Sequence, residues 1–336
     1  MEKNKYLIIY HKEDNDGLFS CAITMNYICQ EIHVNKNDIE VYGASYNDLN
    51  QLIDYFDTWK YIYKSIVMVD ISFKAPDMKR LYNLFGNNFI WIDHHKPIII
   101  ESFKYGFDSC SGVRQTDRSA LALAYKFFYD PLDEKFQNKT MSKLFHILSS
   151  YDSWTYEQQG YELDYVATIN KYITYFYKLD LDRIYCLCHD ILYKDKTVEG
   201  FEDEDDLINH SFVYGKDLLD YDKYNYSNLI ENSADYDWII EYPKNENNNR
   251  HACALFIQGP TSSIIFNSCP SEIDNGIVFK RNPDTTWTIS LYNVNDDEFH
   301  CGDYLKKKYK GGGHKGAAGC VVSEKKFLKI LKNKRI

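Results

Sequence analysis

Short, nearly unbroken apolar runs alternate with amphipathic stretches over the first 100 residues. Tyr6-Leu-Ile-Ile-Tyr10, Val41-Tyr-Gly-Ala-Ser45, Ser65-Ile-Val-Met-Val-Asp70 and Phe89-Ile-Trp-Ile-Asp93 predict four strands. Between them, Asp16 to Cys29, the stretch reaching about Tyr55 and the stretch that Pro76 opens predict helices. Strands apolar on both faces and separated by helices are those of a parallel sheet covered on both sides. From Asp117 to about Asp190 the pattern is helical, most clearly at Ser119-Ala-Leu-Ala-Leu-Ala-Tyr-Lys-Phe-Phe128 and Lys143-Leu-Phe-His-Ile-Leu148.

A break follows at Lys194 to Asp206, ending in the acidic run Glu202-Asp-Glu-Asp-Asp206, and a further helix is expected to about Asn232. Pro243 to Arg250 reads as a polar loop, and strands are expected at Ala252 to Gln258, Ser262 to Phe266 and Thr286 to Tyr292. The expected organisation is a first domain over residues 1–195, a helical linker over 196–235 and a second domain over 236–336. The fold class is α/β, a parallel-sheet domain followed by a smaller α/β domain.

The length of 336 residues suits about two domains. No apolar run approaches the roughly 20 residues of a membrane span, and no charged-then-apolar leader opens the sequence, so a cytoplasmic protein is expected. The net charge of −10 argues against non-specific binding of long nucleic acid. It is unevenly spread: residues 301–336 carry 11 Lys and Arg against only Asp303 and Glu324. A basic end on an acidic body suits local grip on a small anion. The nine Cys form no CxxC pair and read as reduced thiols filling cores.

In parallel sheets, ligands sit at the carboxyl ends of strands. Three of the four strands here run straight into titratable residues: His11-Lys-Glu-Asp14-Asn-Asp16-Gly17, then Asp70, then Asp93-His94-His95. Carboxylates with an added imidazole suit Mn²⁺ or Co²⁺, and carboxylates alone suit Mg²⁺. Taken singly, Asp14, Asp16, Asp70 and Asp152 also suit helix caps and turns. Asp93-His94-His95 is harder to explain so, because three adjacent titratable groups after a buried strand need a cation or a defined task. Gly311-Gly-Gly-His314-Lys315-Gly316-Ala-Ala-Gly319 is a second signal. Its glycines free the backbone to present N–H groups to an anion, although it lacks the spacing of a Walker A loop.

These pieces, in this order, resemble the DHH family of phosphoesterases with its DHH-associated second domain. The resemblance runs from about Tyr6 to Val322. It implies two Mn²⁺ ions, with Mg²⁺ or Co²⁺ as alternatives, held by His11, Asp14, Asp16, Asp70, His94 and Asp152, with Asp70 bridging. Asp93 would orient a neighbouring His, and His95 would sit near the reacting phosphate. Gly311, Gly312, Gly313, His314 and Lys315 would grip another phosphate from the second domain. Where the family commonly has Ser-Leu-Arg-Ser, this chain has Ser290-Leu291-Tyr292-Asn293; Tyr292 would then stack on a base.

The implied activity is a metal-dependent phosphodiesterase acting on short oligonucleotides or small, including cyclic, nucleotides by a two-metal mechanism. A RecJ-like single-strand exonuclease and a non-hydrolytic nucleotide sensor are the alternatives. No membrane or long duplex partner is expected, and a homodimer is compatible with the resemblance.

Overall fold

The computed structural model describes all residues except 1–4, 47, 131–140, 194–196, 199, 242–248, 259–262 and 297. It divides into two compact units, Met1–Leu219 and Asp220–Ile336.

The first unit begins with β1 (Lys5–His11), α1 (Asn15–Gln30), β2 (Ile39–Ala44), α2 (Phe56–Ile62), β3 (Tyr63–Val69), α3 (Ala75–Phe85), β4 (Phe89–Ile92) and α4 (Lys96–Tyr105). The strands form one parallel sheet in the order β2-β1-β3-β4. Alternation along each strand sends side chains to opposite faces. Ile8, Tyr10, Val67, Val69 and Ile92 join one core, while Leu7, Ile9, Ile66, Met68 and Trp91 join the other. The first core is closed by α1 and by the helices that follow: α5 (Ala120–Phe128), α6 (Lys143–Asp152), α7 (Leu163–Tyr177) and α8 (Leu181–Tyr193). The second is closed by α2 and α3. Covering both faces leaves the strand ends as the place where polar side chains can meet.

The helix α9 (Glu204–Ser233) starts inside the acidic run, so Glu204, Asp205 and Asp206 fill its first turn. There they complement the helix dipole, which is why the run is helical rather than part of a break. The division between units falls within this helix.

The second unit holds a six-stranded mixed sheet built from β5 (Asp235–Ile240), β6 (Arg250–Phe256), β7 (Asn275–Arg281), β8 (Trp287–Asn293), β9 (Gly312–Gly313) and β10 (Ala317–Val322). The order is β5-β6-β7-β8-β10-β9, with only β6 and β7 parallel. One face carries α10 (Cys301–Tyr309) and α11 (Glu324–Asn333) over Ile277, Phe279, Ile289 and Leu291. Two expectations are corrected. Ser263–Phe266 is a turn of 3₁₀ helix and not a strand; a short apolar run is ambiguous by periodicity. The strand Asn275–Arg281 is an addition to the expected strands. Most of the expected polar loop Pro243–Arg250 lies outside the described residues. Among the described residues, no helix is long and apolar enough to cross a membrane.

Candidate metal centre

His11 is the last residue of β1, and Asp14 caps α1, its carboxylate accepting from Gly17 N–H at 3.0 Å. A Cβ at Gly17 would lie 2.0 Å from the His11 carbonyl oxygen, so only glycine lets α1 start this close to the strand. His11 Nδ1 lies 2.8 Å from Asp14 Oδ2 and 3.6 Å from Asp70 Oδ2, and Nε2 lies 3.5 Å from Glu13. Burial opposes charge on this imidazole, yet the surrounding carboxylates hold its pKa above the ordinary value.

Asp16 is buried in the first turn of α1. Its two oxygens accept from Ala120 N–H and Leu121 N–H, each at 2.8 Å. These are N–H groups at the start of α5 that have no partner inside that helix, and the dipole there favours the negative charge. Each oxygen keeps a free lone pair. Burial and the adjacent Asp70 carboxylate push the Asp16 carboxyl up to about 7.

Asp70 follows β3 with φ +57°, a left-handed conformation that costs an ordinary residue about 1–3 kcal/mol. The turn brings its buried carboxylate between two histidines. Asp70 Oδ1 is 3.2 Å from His94 Nε2, and His11 reaches Oδ2. Although its burial would raise its pKa, the adjacent His11 and His94 imidazoles hold it below the usual carboxylate range. His94 Nε2 also faces Asp152 Oδ2 at 3.6 Å and Asp16 Oδ2 at 3.8 Å. Asp152 is the last residue of α6. Burial and the charge of Asp16 push its carboxyl well above the usual range.

The Asp93-His94-His95 triplet divides its work. Asp93 is fully buried and hydrogen-bonded through both oxygens. Oδ1 accepts from His94 N–H, His95 N–H and His95 Nδ1 at 2.7 to 2.9 Å, and Oδ2 accepts from Trp91 Nε1 at 3.0 Å. It therefore serves as a holder of the His95 ring. Tyr46, absent from the sequence reading, places its ring 5.9 Å from that of His11 and 6.1 Å from that of His95. Asn15 is a second addition. Its amide donates to Asn170 Oδ1 and Thr174 Oγ1, each at 2.8 Å, pinning the Asp14–Asp16 turn to α7.

Carboxylates of Asp14, Asp16, Asp70 and Asp152 and imidazoles of His11 and His94 thus converge at the strand ends. Ligand atoms of His11, Asp14 and Asp70, and those of Asp16, Asp70 and His94, lie within 4.8 Å of one another. Asp70 Oδ1 and Asp152 Oδ2 are buried and accept no hydrogen bond from the described residues. A buried carboxylate oxygen left without a partner is costly, and a hard divalent cation is the group that such a donor set fits.

In the second unit, β9 and β10 form a hairpin whose backbones nearly touch. A Cβ on Gly313 (φ +140°) would lie 2.5 Å from Ala318 Cα, and one on Gly311 would lie 2.4 Å from the Gly319 oxygen. Gly311 N–H donates to the Leu305 carbonyl at 3.1 Å, and His314 N–H donates to that of Ala317 at 2.8 Å. Those two donors are engaged within the fold, and the glycines allow close packing where an open cradle was expected. The expectation for Tyr292 is corrected. The residue is 8% exposed and its ring packs 5.6 Å from that of Phe266 in the core, so it offers no open face to a base. Its neighbour Asn293 ties the motif down, donating to the carbonyls of Phe299 at 2.7 Å and Lys315 at 3.3 Å.

No curated protein matches the chain. Among solved structures, RecJ in complex with Mn²⁺ from Thermus thermophilus aligns with a TM-score of 0.52 at 13% identity. That alignment covers 99% of this chain and 51% of RecJ. An exopolyphosphatase-related protein from Bacteroides fragilis gives 0.48 at 14% identity, over 98% and 91% of the two chains. The pGpG-specific phosphodiesterase PggH from Vibrio cholerae gives 0.45 at 12%, over 98% and 97%. The likeness to RecJ shows a shared fold. Residues 5–149 match the model of the DHH family, N-terminal domain, from the strand that delivers His11 almost to the end of the helix that delivers Asp152. Over this stretch, less than half of the chain, the sequence is similar to the DHH family.

Proposed function

We propose that this chain is a manganese-dependent phosphodiesterase that hydrolyses short oligonucleotides or small nucleotides with two ions. The observation that carries the reading is the convergence of Asp16, Asp70 and Asp152 on His94 Nε2, with two buried carboxylate oxygens accepting no hydrogen bond from the described residues. His11, Asp14 and Asp70 would hold one ion, and Asp16, Asp70, His94 and Asp152 the other. Such ions, when bound, acidify a water and neutralise charge on the phosphoryl oxygens of an in-line displacement.

The chain's own residues do the rest. Asp93 accepts from His95 Nδ1, which fixes the ring, and His95 Nε2 would be the atom that meets a phosphoryl oxygen. The backbone N–H groups of α5 hold the Asp16 carboxylate in place as charge around it changes. In the second unit, the side chains of His314 and Lys315 would bind a further phosphate. The excess of Lys and Arg over residues 301–336 supports that role.

The test is hydrolysis with Mn²⁺ of a matched panel. It contains the dinucleotide pApA, a pentamer and a long single-stranded RNA, single-stranded DNA, 3′-phosphoadenosine 5′-phosphate, and linear and cyclic adenylate dinucleotides. An Asp93→Ala/His94→Ala variant is the control. Turnover of short or cyclic species that vanishes in the variant is the expected result. Efficient degradation of the long strands would move the reading to a RecJ-like exonuclease. Binding without turnover of any substrate would make the chain a nucleotide sensor.

A further inference from the structure

We infer that Cys253 and Cys269 form a reversible disulfide, a thiol-modification site in the second unit that is independent of the phosphoesterase chemistry. Cys253 lies on β6 and is fully buried. Cys269 follows the turn Ser263–Phe266, is half-buried, and stands between exposed Ser268 and Pro270. Both thiols belong to one apolar cluster with Ile230, Leu255, Phe266 and Val278, and they hydrogen-bond to each other.

The approach has a local cause. Gly276 sits beside Cys253 in the β6–β7 register, and the Phe266 ring occupies the space a side chain there would need, 2.4 Å from an ideal Cβ. The absent side chain lets the turn settle onto the strand. Cys269 N–H then bonds the Phe266 carbonyl at 3.0 Å, which carries the second thiol to the first. Ser227 and Ser268, 2.6 Å apart through their hydroxyls, tie the same turn to α9.

The two sulfurs differ in the way a disulfide-forming pair requires. Cys269 is half-buried with exposed neighbours on both sides, while Cys253 is fully buried. The half-buried partner is thus the one an oxidant reaches first, and its buried neighbour is placed to resolve it. Cys21 and Cys188 are also neighbours, but both are fully buried, which keeps an oxidant from either. Cys186 is exposed.

The oxidant is of the hydroperoxide class. The Cys269 thiolate attacks a peroxide oxygen, the O–O bond breaks, and the departing hydroxide takes up a proton to leave as water. Cys269 is now a sulfenic acid. Cys253 sulfur attacks the Cys269 sulfur, the S–O bond breaks, and a second water carries away the thiol proton. Two thiols lose two electrons and two protons, and one hydrogen peroxide becomes two waters.

The test is titration of the full chain with hydrogen peroxide in a chelating buffer, followed by alkylation under denaturing conditions and peptide mapping by mass spectrometry. The expected result is a cross-linked peptide pair holding Cys253 and Cys269, short of two hydrogens and reopened by dithiothreitol. In Cys269→Ser the cross-link is lost and Cys253 stays alkylatable. In Cys253→Ala, Cys269 is instead driven on to sulfinic acid. Circular dichroism confirms that each variant is folded. The inference is overturned if Cys269 overoxidises in the wild-type chain while Cys253 remains free. Oxidation of Cys186 with both thiols unchanged, or pairing of either with a different cysteine, would overturn it equally.

Discussion

The two units treat their polar residues in opposite ways. In the first, carboxylates and imidazoles crowd the ends of a parallel sheet, and Asp70 and Asp152 keep buried oxygens that accept no hydrogen bond from the described residues. In the second, the glycine-rich motif that looked equally chemical turns its backbone donors at Gly311 and His314 inward, onto Leu305 and Ala317. The difference teaches how to weigh two motifs of similar appearance. Polar groups with satisfied partners report on folding, whereas buried groups without them report on something the chain is built to receive.

Asp70 tests the first half of that contrast most severely. Asp70→Asn should abolish turnover by about 10³-fold or more, since it removes charge from both candidate ligand sets. Calorimetric titration with Mn²⁺ should show binding lost as well. If Mn²⁺ binding survives intact, the convergence is not a metal centre. Asp93→Ala should cost less, about 10–100-fold in kcat, because it releases the His95 ring without removing a candidate ligand. An equal loss of Mn²⁺ affinity and turnover in that variant would instead make Asp93 a ligand.

Mn²⁺ itself should stabilise the chain by about 2.7 kcal/mol at a hundredfold excess over its dissociation constant. Thermal unfolding with and without a chelator reads this directly, and Asp70→Asn should remove the difference. Gly313→Ala addresses the second half of the comparison. It should destabilise by about 1–3 kcal/mol through the strained backbone and the close Ala318 contact, while Mn²⁺ binding stays unchanged. A neutral effect on denaturant unfolding would show that the hairpin does not need its glycine.

Much of the first unit was legible because its signal is blunt. Apolar runs of strand length that end abruptly in Asp or His mark both the sheet and the edge where chemistry gathers. The resemblance to the DHH family was readable from the same residues. The finer partition was not. That Asp93 is a holder depends on the Trp91 indole, which the two-residue period of a strand places on the same face. That signal was available. Tyr46 comes from a loop, and no periodicity positions it. In the second unit, the expectation that Tyr292 meets a base rests only on its place in the family's motif, which carries no information on burial. Both faces of that sheet are covered, so Leu291 and Tyr292 are both core.

The left-handed backbone at Asp70 also bears on how the site could be re-engineered. A Glu, His or Cys placed there to change the preferred ion must take up a conformation that favours Gly, Asn and Asp. Of those three only Asp brings a negative charge. The ion preference of this position is therefore defended by the main chain as much as by the carboxylate. A directed-evolution campaign aimed at a softer metal should find its gains at His11, Asp14 or Asp152, whose main chains lie in common regions, and stall at Asp70.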